Sequence, residues 1–127
     1  MKKTSTVLAM TGALLALSAP AAMATAFSGS MTGARTSGTV TISSTTASVS
    51  GTVWDTKADG ECATLRANWD VPLAPDHGFD VAKACGNGTH ATGSNSSKVD
   101  SHARDFEVRI KTGDPYKVIW QGTNNDA

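Results

Sequence analysis

An all-β fold, a small antiparallel β-sandwich or small barrel of six or seven strands, is what the sequence predicts downstream of an N-terminal export segment. Three observations carry that expectation. Apolar residues recur at every second position in several short windows, the period of a half-buried strand. Gly, Pro, Asn and Asp turn signals recur about every ten residues. Outside the N-terminal apolar run, no window spaces apolar residues at 3.6 over three turns, as a packed helix requires. An antiparallel sheet with one apolar face must cover it, and a second sheet is the simplest cover.

Residues 1–24 read as a secretory signal peptide. Lys2 and Lys3 precede an apolar run from Val7 to Ala19, and Ala22-Met23-Ala24 closes the segment with a small-x-small cleavage pattern. Ala24-Thr25-Ala26 offers a second cleavage frame. The run falls short of the roughly 20 apolar residues a permanent transmembrane helix needs, so the chain is expected to be secreted and extracellular, with no membrane contact after cleavage.

Residues 25–38 are rich in Ser, Thr, Gly and Ala, with Phe27 and Met31 as the only large apolar residues. They read as a flexible N-terminal arm or a first edge strand, ahead of a single β-domain over 39–127. Val40 and Ile42 alternate with Thr39, Thr41 and Ser43 in a first regular strand, and Val49, Gly51 and Val53 alternate with Ser50, Thr52 and Trp54 in the next. Residues 56–60, ending in Asp59-Gly60, form a hairpin turn, and the acids of the run from Asp55 to Glu61 are expected to be solvated. Ala63, Leu65, Ala67 and Trp69 then alternate with Cys62, Thr64, Arg66 and Asn68. Pro72 and Pro75 make 70–78 a loop, because proline has no amide to give a sheet. Phe79 and Val81 begin a further strand that leads to Cys85. Residues 86–97, dominated by Gly, Asn, Ser and Thr, read as a surface loop or a disordered link with no packing face. Phe106, Val108 and Ile110 alternate with charged residues, Gly113-Asp114-Pro115 turns the chain, and 116–121 completes a hairpin. Within that last strand Ile119 breaks the alternation of Tyr116, Val118 and Trp120.

The interior is lean. Leu, Ile, Val and Phe supply 16 residues of a chain cleaved after Ala24, and a domain this small buries a modest share of its surface. Cys62 and Cys85, the only cysteines, are each other's partners in an oxidising exterior, and their bridge offsets that shortfall.

Composition narrows the partners. Without Lys2 and Lys3, nine basic residues face eleven acidic ones, interspersed in the sequence. A phosphate backbone requires clustered cations, so no nucleic acid partner is expected. The run from Asp55 has Lys57 third and Arg66 twelfth, where a calcium loop needs oxygen ligands. His77, His90 and His102 lack the spacing that sets two zinc ligands on one face. No metal and no cofactor is expected. Asp100, Ser101 and His102 are adjacent, poor geometry for a relay, and there is no nucleophile elbow. No catalytic residue is assigned, and the chain is not expected to be an enzyme. A small ribonuclease built on Glu107, Arg109 and His102 is a weaker alternative, and so is a protease inhibitor presenting the Pro-rich loop 70–78.

Trp54 stands on the strand face opposite Val49 and Val53, and Tyr116 opens the last strand. These two aromatics are the candidate ligand-binding residues, since an exposed ring stacks on a sugar or a partner at low entropic cost. Trp69 and Trp120 are expected in the core. Asn87-Gly88-Thr89 and Asn95-Ser96-Ser97 match the glycosylation acceptor pattern.

The run from Gly51 to Gly60 with its Asp-Thr-Lys-Ala-Asp-Gly turn, together with Cys62, Trp69 and Ala84-Cys85, resembles small secreted proteins of actinobacterial type that carry a similar turn and cysteine pair. The resemblance spans residues 38–86. It implies export and a compact β-domain and carries no assigned activity. The expected role is therefore extracellular interaction by a monomer, with an unknown protein or a polysaccharide as partner; a carbohydrate-binding module is the more specific form.

Overall fold

The structure, a computed structural model, describes residues 23–71, 73, 75–99 and 104–124. Eight strands follow in order: β1 (Met23–Met31), β2 (Ala34–Ile42), β3 (Thr46–Asp55), β4 (Ala63–Asp70), β5 (His77–Ala84), β6 (His90–Lys98), β7 (Asp105–Thr112) and β8 (Tyr116–Thr123). They form two four-stranded antiparallel sheets, β1-β2-β3-β6 and β5-β4-β7-β8. The alternating inner faces pack together, and Trp69, Phe106, Leu65, Ile110, Val40, Val49, Val53 and Val108 are fully buried between them. Burial of each such side chain is worth about 1.5–3 kcal/mol. Trp69 meets Phe106 edge-on, with ring centroids 4.8 Å apart.

Two expectations change at the ends of the first sheet. Residues 25–38 are not a flexible arm, and the domain does not begin at residue 39. β1 and most of β2 lie there, joined by a tight turn at Gly33, whose φ of 90° suits glycine. The inward side chains, among them Phe27, Ala34 and Thr36, are buried, and the sparse hydrophobicity reflects an outward face made of small polar residues. The expected cleavage position falls within β1, where Met23 and Ala24 pair with Ile42 and Thr41. Residues 1–22 of the expected signal peptide lie outside the described residues.

Residues 86–97 are likewise not a loop throughout. After a turn at 86–89 they enter β6, which pairs with β3 from Trp54↔His90 to Thr46↔Lys98. No apolar alternation marks this strand because its inner face approaches another backbone. A Cβ added to Gly93 would sit 2.2 Å from the Val81 carbonyl oxygen of β5, and Asn95 Nδ2 donates to the Asp80 carbonyl at 3.1 Å. The sandwich is therefore closed along the β5–β6 side by backbone proximity. Gly93→Ala is expected to cost about 1–3 kcal/mol, as overpacking does, measured by urea unfolding.

Gly38 and Gly51 face each other in the β2–β3 register. Their missing side chains leave a hollow on the inner face that Phe27 and Leu65 occupy, with Phe27 Cζ 2.8 Å and Leu65 Cδ2 3.0 Å from where a Cβ would lie. The two glycines thus make room for Phe27 of the neighbouring strand β1 and for Leu65 of the facing sheet.

The segment 56–60 is not a hairpin turn. It carries the chain from β3 in one sheet to β4 in the other, because β3 pairs with β2 and β6 while β4 pairs with β5 and β7. Nor are all the acids of the 55–61 run solvated. Asp55 is 1% exposed, and its carboxylate accepts from the backbone N–H of Lys57 at 3.2 Å and of Gly86 at 2.8 Å. Two backbone bonds complete the junction, Asp55 N–H to the Thr89 carbonyl at 2.9 Å and Gly88 N–H to the Asp55 carbonyl at 2.7 Å. Cys62 and Cys85 are bridged beside it, with Cα atoms 4.3 Å apart.

Candidate functional site

The outward face of β1-β2-β3-β6 has an unusual composition. Its cross-strand rows follow from the register: Ser37–Thr52–Thr92, Thr39–Ser50–Ser94 and Thr41–Ser48–Ser96 across β2, β3 and β6. All nine positions carry a hydroxyl. Ser28 and Ser30 of β1 extend the surface past β2. Neighbouring side chains within a row are one inter-strand spacing apart, about 4.8 Å, and successive rows about 6.7 Å apart. Thr52 and Thr92 already share a hydroxyl–hydroxyl bond of 2.7 Å. Thr39, Thr41, Ser48, Ser50, Ser94 and Ser96 line an open trough of about 380 Å³.

At one end these rows meet Ser30–Arg35–Trp54–His90. Trp54 lies on the outer face, as its parity in β3 requires, and is half-buried. The Arg35 guanidinium sits 4.4 Å from the indole centroid, a cation–π stack, and the His90 ring lies 6.4 Å away. Trp54, Arg35, Ser28, Ser30 and Ser37 border a second cleft of about 330 Å³ on the same face. An indole, a guanidinium with five donors and several hydroxyls thus share one open surface.

Tyr116, the other candidate aromatic, is elsewhere. It is 55% exposed on the outward face of the second sheet, beside Lys111, with the Arg109 guanidinium 4.4 Å from its ring centroid. Trp54 and Tyr116 therefore stand on opposite sides of the sandwich and form no common patch. The Tyr116 face is charged and mixed in sign. Arg66 pairs with Asp80 at 2.6 Å, Arg109 binds Glu107 through Nε at 2.9 Å, and Lys83, Thr64 and Lys111 form one row.

Trp120 and Tyr116 do not share a face. A bulge at Ile119 shifts the β7–β8 register between Val108 and Arg109, so Trp120 turns toward Phe106, at 6.5 Å, while Ile119 packs against Gly29 of β1. The broken alternation visible in the sequence is this bulge.

Of the ribonuclease trio, Glu107 and Arg109 are ion-paired, and Glu107 also accepts from Gln121 at 3.2 Å. His102 lies outside the described residues, as do Asp100 and Ser101. His77 and His90 open β5 and β6 in different sheets. Among the described residues no three His, Cys, Asp or Glu side chains gather as a metal-holding group.

In the Pro-rich loop, Asp76 accepts from Val71 N–H at 3.0 Å and from Asn68 Nδ2 at 3.2 Å. The Val71 amide chiefly, then the Asn68 amide, hold its carboxyl below the ordinary range. Leu73 is fully exposed with a left-handed φ of 61°, so the backbone turns there, whereas a protease cleft reads an extended strand by pairing with it. The disulfide lies at the opposite end of β4 and β5 and does not close this loop. Both glycosylation-pattern asparagines are exposed, Asn87 in the turn before β6 and Asn95 within β6, where its amide donates to the Asp80 carbonyl.

No protein-family model matches the chain, and neither a curated protein nor a solved structure does. What the fold defines is a class: a two-sheet all-β sandwich carrying one disulfide, a bond compatible with an extracellular protein.

Proposed function

We propose that the chain is a secreted, non-enzymatic binding domain that engages extracellular polysaccharide through the outward face of β1-β2-β3-β6. The observation that carries this reading is the placement of Trp54: a half-buried indole, stacked with Arg35, at the end of an open hydroxyl-rich sheet face. Sugar rings present apolar faces and hydroxyl edges. An aromatic platform takes the face and side-chain hydroxyls take the edges. Strands hold the contact residues more firmly than loops do, so little ordering is needed on binding. Export supports the reading through the signal-peptide pattern at the N-terminus and the Cys62–Cys85 bridge.

Depletion from solution by insoluble cellulose, chitin and peptidoglycan tests it. Retention on at least one of these is expected, with Trp54→Ala losing about 1–3 kcal/mol of binding, the range for a lost stacking anchor. Absence of retention on all three, or full retention by Trp54→Ala with unchanged circular dichroism, would remove the reading.

A further inference from the structure

We infer that the ligand of this face is an uncharged polysaccharide lying over the Ser/Thr rows, not an acidic one; the inference rests on the polysaccharide reading above and narrows it. The nine row positions on β2, β3 and β6 hold no ionisable side chain. The titratable groups of the face stand beyond the two ends of these rows, Arg35 and His90 beside Trp54 at one end and Lys98, paired with Thr46, at the other. A carboxylate, sulfate or phosphate laid over the middle of the trough would lose water without gaining a cation, and an uncompensated anion is costly to desolvate. A sugar hydroxyl meets the opposite situation. Each Ser or Thr side chain both donates and accepts and rotates to suit its partner, so every row satisfies whichever polarity the ligand presents. Four further cations, Lys83, Lys111, Arg66 and Arg109, are on the other sheet, and Arg35 and Lys98 flank the rows without entering them.

A second copy of the chain fits the face less well. Four strands at about 4.8 Å and seven residues at about 3.3 Å give roughly 450 Å², against about 800 Å² per partner in a stable interface. The rows also lack the apolar centre that such interfaces bury. An uncharged chain molecule needs neither.

The test compares retention of the mature chain on neutral polymers (cellulose, chitin, an uncharged β-glucan) and acidic ones (alginate, polygalacturonate) at low and high salt. The expected result is retention on a neutral polymer, changing less than about twofold with salt because no exposed ion pair is involved. Ser50→Asp should lower it at least about tenfold by setting an unpaired charge in the trough. Ser50→Asn, similar in size without the charge, should lower it severalfold less than Ser50→Asp does, and Lys83→Glu on the far sheet should match wild type. Binding confined to acidic polymers and abolished by salt, or Ser50→Asp binding as well as wild type, overturns the inference while leaving polysaccharide binding standing. Loss of retention on every polymer ends both.

Discussion

Reducing the Cys62–Cys85 bridge, or replacing both cysteines by Ser, lowers the unfolding free energy by about 3 kcal/mol, the loop-closure entropy of a cross-link spanning a separation of 23 residues. A domain of this size has roughly 5–15 kcal/mol in total, so a fifth or more of its stability resides in one bond. The effect is large because the interior is lean: apart from Trp69 and two Phe, the buried apolar residues are Val, Ile, Leu and Ala. The bridge joins the start of β4 to the end of β5, strands already paired from Ala63↔Ala84 onward. Its loss is therefore felt chiefly in the denatured chain, and circular dichroism of the reduced protein at low temperature should remain that of a β-sandwich. Urea unfolding of oxidised and reduced protein measures the difference; a midpoint indifferent to reductant would contradict it.

Asp55→Ala is the single side-chain truncation expected to cost most outside the apolar core, about 3 kcal/mol. The carboxylate is buried and holds the Lys57 and Gly86 amides, and hydrogen bonds to a charged group are worth about 1.5–3 kcal/mol each, less when neighbouring donors recover water. The Gly86 amide belongs to the turn that follows Cys85, so the carboxylate and the disulfide brace the same junction between β3, β5 and β6. Their losses should not add, and a double-mutant cycle of Asp55→Ala with the reduced bridge should give a coupling energy above about 0.5 kcal/mol. Asp59→Ala, an exposed neighbour whose carboxylate accepts from Glu61 N–H, should fall within about 0.5 kcal/mol of wild type. Equal effects at the two positions would refute the assignment.

Much of the fold was legible where apolar and polar residues alternate. Val40 and Ile42, Val49 and Val53, Leu65 and Trp69, and Phe106 to Ile110 all lie in strands with their apolar side chains inward. The disulfide was legible because only two cysteines exist. Residues 25–38 and 86–97 were not recognised in full as strands, for a physical reason. Their outward faces carry mostly Ser and Thr. Apart from Phe27 and Met31, their inward faces carry small or polar residues such as Gly29, Ala34, Thr36, Ala91 and Gly93, several of which make contact by close approach and not by apolar bulk. Sheet order was also out of reach. Residues 56–60 have the composition of a hairpin turn, yet tertiary pairing sends β3 and β4 to different sheets.

The candidate site shows the same division. Local parity placed Trp54 on an outer face, but the hydroxyl rows appear only once β6 is set beside β3, a pairing between residues some 36 to 52 positions apart. Sequence separation hides such neighbours, and Ser/Thr-rich strands look like linkers until the register is known.

Because the binding face depends on β2 and β6 being strands, amide hydrogen exchange followed by NMR tests the account most directly. The amides of β3 that donate to β2 and β6, and those of β2 and β6 that donate back, should exchange at least about a hundredfold more slowly than an unfolded chain, as paired backbone does. If residues 90–98 exchanged at the rate of an open loop while β4 and β7 stayed protected, there would be no ordered hydroxyl face, and the polysaccharide site built upon it would fall.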